Sequence, residues 1–198
     1  SWKGSGEEAI AEIYQKLSVE GIATRFAGYE GRTEGNATVL AILKNGRRTD
    51  TLQEGETGEI ILEETPFYGE IGGQVGDTGA LEGNGTVFDV LDTRRPLQDL
   101  ISHVGEVKKG LIRLGDTLHL QVDDEMRRAT EANHSGTHIL QAALKAVLGD
   151  HIKQSGSLVT PDRLRFDFTH FSKIEDEELA RVERLCNRFI RRNLPVGT

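Results

Sequence analysis

Two histidines, His134 and His138, are the residues of this sequence best suited to chemistry. They lie four positions apart in a stretch that predicts a helix, so both imidazole rings should project from one helical face. This spacing offers two nitrogen ligands to one zinc ion, which needs further ligands to be held stably. Ser135 stands where a zinc protease of the H-E-x-x-H type has its catalytic glutamate, which argues against a metalloprotease. The alternative is a chance pair on a surface or in a core.

A glycine loop, residues 65–79, is the second candidate, with the sequence T-P-F-Y-G-E-I-G-G-Q-V-G-D-T-G. It lacks the G-K-[ST] of a phosphate-binding loop, and it precedes a predicted strand rather than the helix of a dinucleotide fingerprint. Its glycines would let backbone amides approach a ligand. We therefore take Gly72, Gly73 and Gln74 as candidates for contact with a substrate or RNA. The alternative is a set of tight barrel turns and bulges.

Residues 151–170 form the third candidate. They predict a hairpin of Lys153–Val159 and Leu164–Thr169 that turns at Pro161-Asp162. Gln154 offers both a donor and an acceptor to a pocket. Alternation places Leu164, Phe166 and Phe168 on one face and Arg163, Arg165 and Asp167 on the other. Lys153, Arg163 and Arg165 are candidate RNA contacts, although an ordinary amphipathic hairpin has the same pattern. Whether His151 and His170 meet is left open.

The elements that would position these residues predict an α+β fold. A period of two recurs from about residue 23, with hairpin cues such as Asn45-Gly46, and indicates a small antiparallel β-barrel. The predicted strands are 23–30, 36–43, 57–64, 85–92, 100–108 and 116–123.

Three helices are also predicted along the chain. The first opens with a capping-box pattern at Ser5, ends near Gly21 and has little to pack on locally. The second covers about 124–148 and ends near Gly149. The third follows a capping box that runs from Ser172 to Glu175. Its apolar face consists of Leu179, Val182, Cys186, Phe189 and Ile190.

Composition excludes several classes of protein. A single cysteine among 198 residues rules out an internal disulfide and fits a reducing compartment such as the cytoplasm. No apolar run reaches a membrane-spanning length. The net charge of −8 argues against a strongly basic nucleic-acid binder. Residues 151–198, however, carry nine Lys and Arg against seven Asp and Glu, which leaves a local RNA contact or a solvated helix face open.

Together, these segments resemble the alanyl-tRNA synthetases. The glycine loop resembles that family's barrel signature, and N-H-S-G-T-H-I-L resembles its first metal motif. The third match is H-I-K-Q-S-G-S-L-V-T-P-D-R-L-R-F-D-F-T-H with the following helix, which resembles the body of its editing domain. The three occur in the family's order across residues 23–198. The resemblance implies the end of a helical tRNA-recognition region at 1–22, a barrel at 23–123 and an incomplete, C-terminally truncated editing core at 124–198, of the threonyl/alanyl-tRNA synthetase second additional domain type.

The resemblance also implies a function. The parent enzyme would ligate alanine to tRNA(Ala) with ATP, and this region would hydrolyse tRNA(Ala) that carries serine or glycine by mistake. An alanine pocket cannot exclude glycine and rejects one added hydroxyl only weakly, so a second site is needed. DNA and membranes are not expected partners. Self-association is expected through uncovered strand edges.

Roles carry over residue by residue. His134 and His138 match the first two zinc ligands, Thr137 matches a position that recognises the wrong amino acid, and Gln154 matches a pocket residue near the ester. The family's other zinc ligands lie in a later C-x3-H motif that this sequence does not contain, and Cys186 does not match it. The isolated chain is therefore expected to bind zinc weakly and to deacylate slowly. A second departure is Ile71, where the family usually has serine; the barrel should tolerate this change.

Two alternatives remain at this stage. A free-standing editing deacylase of the alanyl type would share the barrel and the histidine pair, but the leading helix and the missing C-x3-H motif argue against it. A metal-free RNA-binding module would use the barrel and the basic last helix, mainly through phosphate contacts. Its binding would depend strongly on salt.

Overall fold

The computed structural model describes the backbone of residues 5–193 and the side chains of residues 12–193 except residue 30. The helices are α1 (Ser5–Val19), α2 (Asp124–Leu148) and α3 (Asp176–Arg192), with a short 3-10 turn at Tyr29–Gly31. The strands are β1 (Arg25–Phe26), β2 (Glu34–Lys44), β3 (Arg47–Thr49), β4 (Thr51–Gln53), β5 (Thr57–Leu62), β6 (Glu64–Thr65), β7 (Gly79–Gly83), β8 (Thr86–Leu97), β9 (Leu100–Lys109), β10 (Leu111–Arg113), β11 (Thr117–Val122), β12 (Gln154–Val159) and β13 (Leu164–Phe168). Of the described helices, none is long and apolar enough to cross a membrane.

The described residues divide into two compact units. The barrel unit contains residues 5–71 and 75–127, and the helix–hairpin unit contains residues 72–74 and 128–193. A three-residue segment, Gly72–Gln74, therefore belongs to the second unit although its neighbours in sequence belong to the first. We call it the GGQ segment.

Six antiparallel strands close the barrel. Their order is β11-β7-β8-β9-β5-β2, and β11 pairs with both β7 and β2, so the ring has no free edge. β3 extends the sheet beside β2. The alternation that predicted strands is visible in β11, where Leu118, Leu120 and Val122 are buried and the residues between them are exposed. The α+β prediction with a small antiparallel barrel is confirmed.

One predicted strand is wrong. Residues 23–30 contribute only the two-residue β1, which pairs with β6, before the chain turns at Tyr29–Gly31. The sixth barrel strand is instead β7, which begins with the last glycine of the glycine loop. A Cβ atom on Gly79 would lie 2.2 Å from the carbonyl oxygen of Gln121, so glycine is what lets β7 approach β11. This strand is short and bounded by glycine, which hid it from a search for alternation.

Helix α1 packs on the outside of the barrel. Tyr14 and Leu17 are buried against a group of apolar residues from three strands: Ala41, Leu43, Ile61 and Leu100. The Tyr14 hydroxyl donates a hydrogen bond to Glu59 Oε2 at 2.6 Å, and Ser102 Oγ donates to the same oxygen at 2.6 Å. Burial is the largest cause that raises the pKa of Tyr14, and the hydrogen bond to the Glu59 carboxylate is the second. The helix lacks a local partner in the sequence because its partners come from distant strands. The side chains of the capping box at Ser5 lie outside the described residues.

A buried ion pair anchors the glycine loop within the barrel unit. The Arg127 guanidinium contacts Asp77 Oδ2, and it also donates to the carbonyl oxygens of Arg32 at 3.0 Å and Pro66 at 2.6 Å. Asp77 Oδ2 in addition accepts the Tyr68 backbone N–H at 2.6 Å. Arg127 and Asp77 are each only 7% exposed, so each charge depends on the other.

His103 is a second polar group inside the barrel unit. Its Nδ1 lies 2.9 Å from the carbonyl oxygen of Ile60, which can only accept, and its Nε2 lies 2.7 Å from Thr65 Oγ1. Nδ1 therefore carries the proton, and the threonine hydroxyl donates to Nε2. Burial lowers the pKa of His103 to about 4.

The helix–hairpin unit matches its predicted elements closely. Helix α2 has the predicted bounds, starts where Asp123 Oδ1 accepts the Met126 N–H at 3.1 Å, and stops before Gly149, whose φ is +116°. β12 and β13 form the predicted hairpin. The core consists of Ala143, Leu144, Ile152 and Val182, with Phe166 and Phe168 packed against it.

Helix α3 differs from the prediction at its start. Its N-cap is Glu175 rather than Ser172, because Glu178 Oε2 accepts the Glu175 N–H at 3.0 Å. Its predicted apolar face is only partly covered. Val182 is buried and Cys186 packs against the core, whereas the other three members, Leu179, Phe189 and Ile190, remain exposed.

Candidate functional site

The two histidines of the predicted metal motif lie side by side on α2. The ring centroids of His134 and His138 are 5.0 Å apart, with 23° between the ring planes. Both side chains are exposed, so their nitrogens are open to a ligand. The four-residue spacing on a continuous helix produces this arrangement.

The GGQ segment contacts this pair. His134 Nδ1 lies 2.5 Å from Gln74 Oε1, a hydrogen bond between residues 60 positions apart in sequence. The sequence marked both residues as candidates but did not connect them. Gln74 was considered for substrate or RNA contact, and no local pattern links it to a helix that begins fifty residues later.

Backbone contacts with β12 position the GGQ segment. The Val159 N–H donates to the Gly73 carbonyl at 2.8 Å, and Gln74 forms a parallel bridge with Val159. Gly73 has φ +88°, and a Cβ atom there would lie 2.5 Å from the Ser157 carbonyl oxygen. Only glycine combines this conformation with this close approach. Gly72, with φ +66°, has open space around its Cα.

Gln154 is joined to the same segment through Ser157. Gln154 Nε2 donates to Ser157 Oγ at 3.1 Å, and Ser157 Oγ donates to the Gly72 carbonyl at 3.3 Å. Ser157 is a residue that the sequence did not single out, although it follows Gln154 by three positions in the same strand. A chain of contacts thus connects Gln154, the GGQ segment and His134, which come from three separate stretches of sequence.

Thr137 lies between the histidines but points into the unit. It is 6% exposed, and its hydroxyl donates to the Asn133 carbonyl at 2.9 Å within the helix. Asn133 Nδ2 in turn donates to the carbonyl oxygens of Thr160 and Pro161, at 2.8 and 3.1 Å. Asn133 therefore links α2 to the hairpin turn one residue before His134.

The candidate cations lie on the solvent side of the hairpin. Lys153, Arg163 and Arg165 are all exposed, and Arg165 Nε donates to Asp167 Oδ2 at 3.1 Å. The opposite face packs Phe166 and Phe168 into the unit, as the alternation predicted. In the barrel unit, the Ile71 side chain is 53% exposed and is not part of the barrel core.

The structure also answers the question about His151 and His170. His151 Nε2 lies 2.8 Å from His170 Nδ1, and the Phe171 ring stacks on His151 with centroids 4.1 Å apart. One histidine precedes β12 and the other follows β13, so the antiparallel hairpin brings them together. The predicted hairpin, with these two histidines near its two open ends, is the sequence feature that could have indicated their contact.

The site residues fit zinc as a partial ligand set. Two exposed imidazoles one helical turn apart supply nitrogen donors of the right chemical type. Among the side chains that the structure describes, no group of three or more His, Cys, Asp or Glu residues converges to hold a metal ion. His151 and His170 therefore do not complete the set.

Comparison with known proteins gives two results. Residues 2–126 match the profile of the family described as tRNA synthetases class II (A). The whole chain is similar to proteins named alanine–tRNA ligase. It is 48% identical over 197 residues to that of Anaeromyxobacter sp. (strain Fw109-5) and 50% identical over 198 residues to that of Rhodopseudomonas palustris (strain ATCC BAA-98 / CGA009). Each match covers 100% of this chain and 22% of the relative, so the chain spans about a fifth of their length.

Proposed function

The chain belongs to the class II (A) tRNA synthetases, and on that premise we propose that it is the editing region of an alanine–tRNA ligase. The whole enzyme would join alanine to tRNA(Ala) with ATP in the cytoplasm. The region described above would hydrolyse the ester of tRNA(Ala) charged with serine or glycine. The match of the entire chain to alanine–tRNA ligases supports the parent enzyme.

The observation that carries the editing proposal is the chain of contacts from His134 through the GGQ segment to Gln154. The mechanism proposed for this region needs a metal-binding group and a polar recognition group near one ester. The fold brings them together with a glycine segment whose backbone is exposed at Gly72.

The residues would divide the work as follows. His134 and His138 would hold a zinc ion, with further ligands from elsewhere in the enzyme. Zinc, when bound, polarises a water molecule or the ester carbonyl. Gln154 can donate to the ester and accept from the amino group of the substrate, because its carboxamide has both functions. Thr137 would act indirectly, through the position of α2 between the two histidines, since its hydroxyl is engaged with the Asn133 carbonyl.

The solvent face of the hairpin would contact the tRNA backbone. Lys153 and Arg163 are exposed cations next to the Gln154 strand, and Arg165 shares its charge with Asp167. Phosphate contacts of this kind position a nucleic acid without reading its sequence. Recognition of tRNA(Ala) itself is therefore expected from other parts of the enzyme.

The test measures deacylation of Ser-tRNA(Ala) and Gly-tRNA(Ala), with Ala-tRNA(Ala) as the reference. Two proteins are compared: this chain alone, and a Rhodopseudomonas palustris ligase in which this chain replaces the matching segment. We expect the chimera to hydrolyse the mischarged species and the isolated chain to do so weakly, because the described residues bring only His134 and His138 together as candidate zinc ligands. In the chimera, His138→Ala and Gln154→Ala should each slow hydrolysis at least about 10-fold.

His170→Ala is the matched control. It removes an imidazole from the same unit without touching His134, Gln154 or the GGQ segment, and it should leave the rate unchanged. Full activity of the His138→Ala chimera would contradict the proposal. Salt-sensitive tRNA binding by a chimera that hydrolyses nothing would instead support a non-catalytic RNA-binding module.

A further inference from the structure

The hydrogen bond between His134 and Gln74 selects one form of the imidazole. A neutral histidine carries one ring proton, either on Nδ1 or on Nε2. In the structure, the amide oxygen of Gln74, rather than its amide nitrogen, faces His134 Nδ1 at 2.5 Å. An amide oxygen only accepts, so this orientation places the ring proton on Nδ1. Nε2 of the same ring is then left with its lone pair.

Contacts between the backbone of the GGQ segment and β12 hold Gln74 in place. The Gly73 carbonyl accepts from Val159, the Gly72 carbonyl accepts from Ser157, and Gln74 itself bridges to Val159. Gly73, the residue before Gln74, lies so close to Ser157 that no side chain fits there. A segment so firmly attached to β12 can orient a ring on α2.

From this geometry we propose that Gln74 is a positioning residue that holds His134 as its Nδ1–H tautomer and presents Nε2 as the metal-binding nitrogen. The inference rests on the proposed function, because it takes His134 as a metal ligand. Histidine ligands generally donate their second ring N–H to an oxygen acceptor, which fixes both tautomer and ring orientation. A carboxamide does this without adding negative charge next to the site.

The first readout needs no metal and no activity. Long-range 1H–15N NMR of the metal-free chain at about pH 8, where unperturbed histidine is neutral, reports which ring nitrogen of His134 carries the proton. We expect the Nδ1–H form in the unaltered chain. In Gln74→Met, which keeps the length of the side chain but loses the acceptor, His134 should shift towards the Nε2–H form that unconstrained imidazoles prefer. Gln74→Glu keeps an acceptor and should keep the Nδ1–H form.

The second readout is the zinc affinity of the chimeric ligase, in which the rest of the enzyme supplies the further ligands, measured by competition with a chromophoric chelator. Gln74→Met should weaken binding about 10- to 100-fold, and Gln74→Glu should restore most of it. The backbone amide spectrum of each isolated variant checks that the fold is kept, and the His138 ring serves as the reference for the tautomer measurement because the Gln74 hydrogen bond is made to His134.

The outcomes separate this inference from the proposed function. An Nε2–H ring at His134 in the unaltered chain, or an unchanged tautomer in Gln74→Met, overturns the role of Gln74 even if zinc binding still requires both histidines. If the tautomer behaves as expected but His134→Ala and His138→Ala leave zinc affinity unchanged, the proposed metal site fails and the role of Gln74 at it is overturned as well.

Discussion

Replacement of Arg127 by methionine should destabilise the barrel unit by more than any surface substitution. Arg127→Met keeps most of the aliphatic volume but removes the guanidinium that contacts Asp77. The Asp77 carboxylate would then be buried with one remaining donor, the Tyr68 N–H. The carbonyl oxygens of Arg32 and Pro66 would also lose their donors.

The magnitude follows from what remains buried. Breaking a buried ion pair by removing one partner costs about 3–5 kcal/mol, because the other charge stays uncompensated. The unpaired carbonyl groups raise the total towards the upper end of this range. Adding Asp77→Asn to Arg127→Met removes the charge and keeps an acceptor for Tyr68. The double variant should therefore recover about 2 kcal/mol relative to Arg127→Met, because no uncompensated charge remains buried.

Urea unfolding followed by circular dichroism is the assay. With a dependence of about 2 kcal/mol per molar urea, a loss of about 4 kcal/mol lowers the midpoint by about 2 M. Arg47→Met, an exposed change on β3 of the same unit, is the matched control and should shift stability by less than about 0.5 kcal/mol. An Arg127→Met midpoint close to that of the control would refute the reasoning, and so would a double variant no more stable than Arg127→Met.

Two further predictions concern other buried polar groups of the barrel unit. Burial lowers the pKa of His103 to about 4, so between its ordinary value near 6.5 and 4 the unfolded chain binds a proton that the folded chain does not. The contribution of His103 to the free energy of unfolding should be complete above about pH 6.5 and fall by up to about 3 kcal/mol towards pH 4. In His103→Gln, the urea midpoint should change less between about pH 6.5 and about pH 4. An unchanged pH dependence in that variant would contradict the burial of a neutral His103. Tyr14→Phe removes one of the two hydroxyl groups that donate to Glu59, while Ser102 keeps the second hydrogen bond. The free energy of unfolding should fall by about 1–2 kcal/mol in the same assay. No measurable decrease would mean that the Tyr14 hydrogen bond does not contribute to stability.

The local elements were predictable because each has a strong periodic or terminal signal. Helix α2 matches its predicted bounds at both ends, since Asp123 and Gly149 mark them in the sequence. The hairpin of β12 and β13 matches for similar reasons. β7 was missed because five residues bounded by glycine carry little alternation, and its place in the barrel depends on the close approach of Gly79 to β11.

The sequence marked His134, His138, Gln74 and Gln154 one by one as candidates, but it did not indicate the contacts among them or the place of Ser157. The side-by-side histidines follow from helical spacing alone. The contact of Gln74 with His134 joins residues far apart in sequence, and the role of Ser157 depends on where the GGQ segment attaches to β12. Pairings of this kind are tertiary, and no local pattern in a single sequence encodes them.

The GGQ segment makes the helix–hairpin unit discontinuous along the chain. A gene fragment that starts at residue 128 would encode the histidine helix and the hairpin but not Gln74, and β12 would lose its bridge at Val159. Transplanting or excising this unit as a single contiguous block would therefore deliver it without one of its own parts. Any portable version has to carry the barrel along or supply those three residues on a new connection.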